Sequence, residues 1–115
     1  IINEKNEITG ERVYPLECKW MAVYRNPLAH PTVIMRKENV NKGFIYDEKL
    51  RNAEDLDLWL RYIINGKHIC NLNEKLLHYR VCGDLAKKRG KEQFQTNLKI
   101  RISNFSYGTP LKIKV

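Results

Sequence analysis

The chain has 115 residues, 43% of them hydrophobic and 30% charged, an ordinary globular mixture that excludes disorder as the default and allows one modest core. A formal charge of +8 and a pI near 9.5 favour anionic partners: nucleic acid, phosphate-bearing small molecules or an acidic membrane face. No apolar run reaches the ~18 residues of a spanning helix and the first residues lack the layout of a signal peptide, so no membrane crossing or export is expected.

From the first residue, residues 1–8 run from apolar positions into NEKNEITGER, a polar segment with Gly10 that reads as a hairpin or loop between short strands. Starting without methionine inside an element suggests a piece of something larger. PLECKWMAVY, residues 15–24, reads as a short helix ended by Arg25-Asn26-Pro27, because a residue before proline is pushed out of helical geometry. HPTVIMRK, residues 30–37, has the β-branched density of a buried strand, with Pro31 tolerated near its start. ENVNKG gives a helical turn closed by Gly43, and FIYDEKLRN an irregular connection.

At Glu54 the period changes. Leu56, Trp59, Leu60, Ile63 and Ile64 fall at i, i+3, i+4, i+7 and i+8, one apolar helical face, stopped by Asn65 and Gly66. KHICNL (67–72) and LLHYRVC (76–82) read as strands, the second with Leu77, Tyr79 and Val81 on one side and His78, Arg80 and Cys82 on the other. The basic run KKRGK, 87–91, leads into a last helix in which Phe94, Leu98, Ile102 and Phe105 keep helical spacing, and YGTPLKIKV forms a loop or extended end.

Three carboxylates, Glu54, Asp55 and Asp57, crowd the first turn of the central helix. The helix dipole stabilises each by ~0.3–1 kcal/mol, and Asp57 and Arg61 stand at i, i+4, so an ordinary structural origin is available to all three. Joint metal chelation by Asp55 and Asp57 is excluded by geometry, since residues two apart on a helix point roughly 200° away from each other. Asp55 and Trp59, at i and i+4, do share a side and could form an aromatic shelf beside a base.

His30, His68 and His78 lack metal-ligand spacing, so a metal site is not read from them. Cys18, Cys70 and Cys82 stand far apart without a C-x-x-C pair, which suits reduced thiols in the cytoplasm rather than zinc or disulfides. The KKRGK run is a solvated basic face or, with Arg80, a clamp for a diphosphate.

Four blocks in order carry a resemblance: the H-P-T strand ending in M-R, the Y-D-E segment, the A-E-D-L-D-L-W-L-R helix and the closing L-x-Y-R strand. Across residues 26–85 the chain resembles the second half of a family 2 glycosyltransferase of the GT-A fold. The resemblance implies an α/β, α+β-like partial domain over 1–115: the acceptor-binding C-terminal half, with a small mixed sheet and two to four helices, the nucleotide-binding half being absent. It implies inverting transfer of a sugar from a nucleotide-diphosphate donor to an acceptor hydroxyl, for surface polysaccharide or lipid-linked glycan synthesis at the cytoplasmic membrane face. Asp55 resembles the general base, with Glu54 supporting it. His30 and Thr32 would lie on the acceptor side, joined there by Trp59. Arg80, Lys87 and Lys88 would approach the donor diphosphate.

Many relatives have His where this chain has Cys82, so a phosphate or metal role does not carry over to that position. A divalent metal, magnesium or manganese, is expected for the complete enzyme and none for this chain alone, which is expected to be inactive by itself. Two alternatives stand beside this reading. One is a small basic module holding nucleic acid or an anionic membrane surface through residues 87–91 and the last helix; against it, Gln93, Gln95, Thr96 and Asn97 dilute any basic stripe. The other is a homodimer formed through exposed strand edges.

Overall fold

The segment richest in apolar residues at helical spacing is the helix at the centre of the core. The computed structural model describes residues 1–83 and 90–106. We label its α-helices α1 (Lys37–Asn41), α2 (Glu54–Ile64) and α3 (Gly90–Ser106); short 3-10 turns occupy Lys19–Val23 and His30–Thr32.

Helix α2 begins and ends where its sequence says. Asn65 caps it, and Gly66 follows at φ +71°, a left-handed conformation cheap only for glycine. Burial goes further than a single stripe: Leu56, Leu58, Trp59, Leu60, Tyr62 and Ile63 are all buried. A helix apolar on most sides must be covered on most sides. The Lys19–Val23 turn covers it with Met21 and Ala22, α3 with Ile100, and Phe44, Met35 and Leu50 complete the shell. Each fully buried leucine contributes roughly 1.5–3 kcal/mol of transfer free energy, which makes α2 the main source of stability.

The expected mixed sheet of a GT-A half is not there. Among the described residues the only β pairing is two isolated bridges, Ile2 with Ile8 and Ile2 with Arg80. Residues 30–37 form a 3-10 turn and a connection into α1 in which Val33 and Met35 pack against the core and Ile34 is exposed, and residues 67–72 and 76–82 run without a ladder. The reason is that β-branched density reports a preference for burial, whereas a strand needs a second backbone to take its N–H and C=O groups. Among the described residues these segments find little of it: the Ile2–Arg80 bridge, through the Ile2 N–H to the Tyr79 carbonyl (2.9 Å) and the Val81 N–H to the Ile2 carbonyl (3.0 Å), and a single bond from the Asn71 N–H to the Leu16 carbonyl (3.1 Å). The strand edges expected to pair two copies are therefore absent among the described residues.

Two further expectations change. Residues 15–24 form only a 3-10 turn at Lys19–Val23. Helix α3 turns three of the four residues of its expected apolar stripe outward, Phe94 (68% exposed), Leu98 (46%) and Ile102, and keeps only Phe105 against the core. Its inner side otherwise carries Gln93, Asn97, Ile100, Arg101 and Asn104, and polar contacts hold that rotation. The Arg101 Nε–H donates to the Ala22 carbonyl (2.8 Å), and the Asn104 amide donates to Asp57 Oδ1 (3.0 Å). Asn71 ties loops together in the same manner, its side-chain amide donating to the carbonyls of Pro15 (3.0 Å) and Pro27 (3.1 Å). Lys87, Lys88 and the rest of the basic run before Gly90 lie outside the described residues, as does the tail from 107 to 115.

Candidate functional site at the start of the central helix

The residue before α2, Ala53, has no side chain able to cap the helix, so the first-turn amides depend on the acids that follow. Asp55 serves in part: its Oδ1 accepts the Leu56 N–H at 2.7 Å. Its other oxygen, Oδ2, accepts from the Asn26 side-chain amide at 2.6 Å, and Asn26 is held in turn by the Leu28 N–H on its own Oδ1 (3.3 Å). Asp55 is thus fixed from two sides and half-buried at the edge of an open groove of about 1400 Å³.

His30, Thr32 and Trp59 line the same groove. The His30 Nδ1 stands 4.0 Å from Asp55 Oδ2, and its ring meets Trp59 edge-on with centroids 6.2 Å apart. On its far side His30 Nε2 lies 2.9 Å from the Tyr46 hydroxyl. Burial, then the carboxylates of Asp55 and Glu54, then Tyr62 push the Tyr46 phenol above its ordinary range, so it stays protonated as a hydrogen-bond donor.

Asp57 has a different place. It is buried, and its Oδ2 accepts from Arg61 Nε at 2.8 Å while Oδ1 accepts from Asn104. Arg61 also donates through Nη2 to the Ile45 carbonyl at 2.6 Å. The second acid of Asp55-Leu56-Asp57 therefore fastens α3 to α2 and, through Arg61, clamps the loop that carries Tyr46. The two carboxylates hold different partners, as their helical spacing requires, and do not close on one ion.

Of the residues singled out from sequence, Asp55, His30, Thr32 and Trp59 come together at one groove. Thr32 is exposed, its hydroxyl donating to the Ala29 carbonyl (2.7 Å); Trp59 is 1% exposed, so it serves the core and walls the groove at once. Glu54 is half-buried beside Asp55, and its Oε2 has no hydrogen-bond partner among the described residues. Arg80 is not brought to the groove: its guanidinium donates to the Asn3 carbonyl (2.5 Å) and to Asn6 Oδ1, pinning the first loop. Sequence reasoning missed Asn26 and Tyr46. The signal for Tyr46 was its place in the Y-D-E block, to which no role attached; Asn26 offered only its position before Pro27.

Among the described residues no group of three or more His, Cys, Asp or Glu side chains could hold a metal ion. Nor is any helix among them long and apolar enough to cross a membrane.

Comparison with known proteins gives a consistent class. The chain is 38% identical over 85 residues to the O-antigen biosynthesis glycosyltransferase WbnJ of Escherichia coli, covering 70% of this chain and 33% of that protein. It is 35% identical over 65 residues to the amylovoran biosynthesis glycosyltransferase AmsE of Erwinia amylovora, covering 56% of this chain and 24% of that protein. It is 38% identical over 52 residues to an uncharacterized glycosyltransferase of Methanocaldococcus jannaschii, covering 45% of this chain and 18% of that protein. The similarity is to glycosyltransferases, and the chain spans about a third or less of the length of these relatives. No family model matches the sequence. No solved structure matches it either.

Proposed function

We propose that this chain is the acceptor-side portion of an inverting family 2 glycosyltransferase of polysaccharide biosynthesis, with Asp55 as its general base. The observation that carries the reading is the Asp55 carboxylate itself: fixed by Asn26 and the Leu56 N–H, open to a groove, and faced by His30. The names of the relatives supply the reaction class and the polysaccharide context.

The chemistry needs little more than a placed carboxylate. The acceptor hydroxyl oxygen attacks the anomeric carbon of the donor sugar, the bond from that carbon to the diphosphate oxygen breaks, and the hydroxyl proton passes to Asp55. The nucleoside diphosphate leaves with the bonding electron pair, and the configuration at the anomeric carbon inverts. Trp59 walls the groove on which the acceptor sugar rests, Thr32 lines its rim, and Glu54 supports the base from the same helical turn.

In this proposal the donor diphosphate, with its magnesium or manganese, is held mainly by parts of the longer protein, helped by Lys87 and Lys88, while Arg80 is engaged with Asn3 and Asn6. This chain alone is then inactive, and the whole enzyme works at the cytoplasmic membrane face on a glycan or lipid-linked acceptor. The nucleic-acid alternative draws no support from α3, whose outward side carries Phe94 and Leu98 where a basic stripe would stand, whereas that exposed apolar side remains compatible with contact to a membrane surface. The test is transfer by the full-length protein with an array of nucleotide-sugar donors, following the anomeric configuration of the product by NMR. Release of nucleoside diphosphate with an inverted linkage is expected; a retained configuration refutes the single displacement.

A further inference from the structure

Tyr46 does not line the groove, yet it makes the one side-chain contact that decides which face His30 presents there. A neutral imidazole carries one N–H and one bare nitrogen, and the hydrogen bond at one nitrogen fixes the state of the other. Here the two nitrogens have unlike neighbours. Nδ1 faces a carboxylate oxygen, Asp55 Oδ2 at 4.0 Å, which favours a proton on Nδ1. Nε2 faces the Tyr46 hydroxyl at 2.9 Å, a group able to donate. The two preferences agree: Tyr46 O–H to Nε2, and Nδ1–H toward the groove.

The 4.0 Å gap has its own meaning. It is too long for a direct hydrogen bond. An oxygen about 2.8 Å from both Nδ1 and Oδ2 would see them at an angle of about 90°, below the tetrahedral value of about 109° yet within reach of one donated and one accepted bond. Such an oxygen gives its proton to Asp55, receives the Nδ1–H, and keeps a second lone pair for attack.

We infer that Tyr46 is a positioning residue that fixes His30 as its Nδ1–H tautomer, so that His30 and Asp55 together seat the attacking hydroxyl of a sugar acceptor. The inference rests on the reading of Asp55 as the base. Tyr46 is itself held: the Arg61 guanidinium, anchored on Asp57, grips the carbonyl of Ile45 next to it. The ring contact of His30 with Tyr46, centroids 5.5 Å apart and tilted by 60°, fixes the approach of the phenol.

The experiment has a spectroscopic arm and a kinetic one, both on the full-length protein. With ¹⁵N-labelled histidine, long-range ¹H–¹⁵N correlation is expected to show His30 protonated at Nδ1, and to show a shift toward Nε2–H in Tyr46→Phe. In the kinetic arm, Tyr46→Phe raises the acceptor KM about three- to tenfold, the worth of one hydrogen bond, and leaves donor affinity unchanged. In a His30→Gln background the same Tyr46→Phe change has no further effect, a coupling that simple loosening of the loop does not produce. Nε2–H in the unmutated protein overturns the inference, as does a Tyr46→Phe effect of equal size with and without His30. Full turnover by Asp55→Asn would remove the base while the tautomer result stood, so the two failures are distinguishable.

Discussion

Replacing Asp57 by alanine separates the two acids of Asp55-Leu56-Asp57 by what they hold. The change deletes the acceptor of Arg61 Nε (2.8 Å) and of Asn104 (3.0 Å), the second being a bond between α2 and α3. The Arg61 side chain is 29% exposed, so solvent screens the ion pair and we allow about 1 kcal/mol for it. The bond from Asn104 to a charged acceptor in a buried place is worth ~1.5 kcal/mol. The Asn104 amide keeps the Ile100 carbonyl and Arg61 keeps Ile45 on its Nη2, so only the Arg61 Nε–H is left without its partner, which limits the penalty. Alanine returns up to about 0.5 kcal/mol in helix propensity, leaving a net loss of about 2 kcal/mol. With a urea slope of about 1–3 kcal/mol per molar for a small domain, the unfolding midpoint should fall by about 1 M, read by circular dichroism at 222 nm. Asp55→Asn, which keeps a polar group of the same shape beside Asn26, should lose less than half as much. An unchanged midpoint for Asp57→Ala, or equal losses for the two variants, would refute the division of labour.

The thiols should differ in reactivity. Cys18 is fully buried, and burial above all, then Cys70 nearby, pushes its thiol above the ordinary range, whereas Cys70 and Cys82 are exposed. Iodoacetamide at pH 8 followed by mass spectrometry should therefore modify Cys70 and Cys82 first and Cys18 only on unfolding; early modification of Cys18 would contradict its burial. Alkaline stability follows the same sign. Raised values for Cys18 and Tyr46 mean that the unfolded chain loses these protons before the folded one does. The stability tied to them is then complete below the ordinary values of 9.0 and 10.0 and is lost as pH rises through the higher folded values. The urea midpoint should fall across that window, and Tyr46→Phe should flatten the part above pH 10; a midpoint rising with pH there would reverse the argument.

What the sequence disclosed depended on how local the cause was. Helix α2, its limits and its Gly66 stop are set by periodicity and chain punctuation, both local, and the ordered blocks around it led to the groove containing Asp55, His30, Thr32 and Trp59. The sheet was misread because Val33, Ile34 and Met35 record a taste for burial or extension without recording a partner strand. In the structure Ile34 is 93% exposed. The rotation of α3 was hidden for a similar reason. Its apolar stripe is plain in sequence, but the contacts of Arg101 with Ala22 and of Asn104 with Asp57 join residues 79 and 47 positions apart. Tyr46 and Asn26 gain their roles only from the residues that folding sets beside them.

The central claim is that Asp55 takes the proton of the acceptor hydroxyl. Its most direct measurement compares Asp55→Asn with the unmutated full-length protein, reading single-turnover sugar transfer and donor affinity side by side. The account predicts a fall in transfer of at least 10²-fold, the lower range for general-base catalysis, with donor affinity and the urea midpoint nearly unchanged. Transfer by Asp55→Asn at the unmutated rate would contradict it and return Asp55 to the ordinary acids of a helix start.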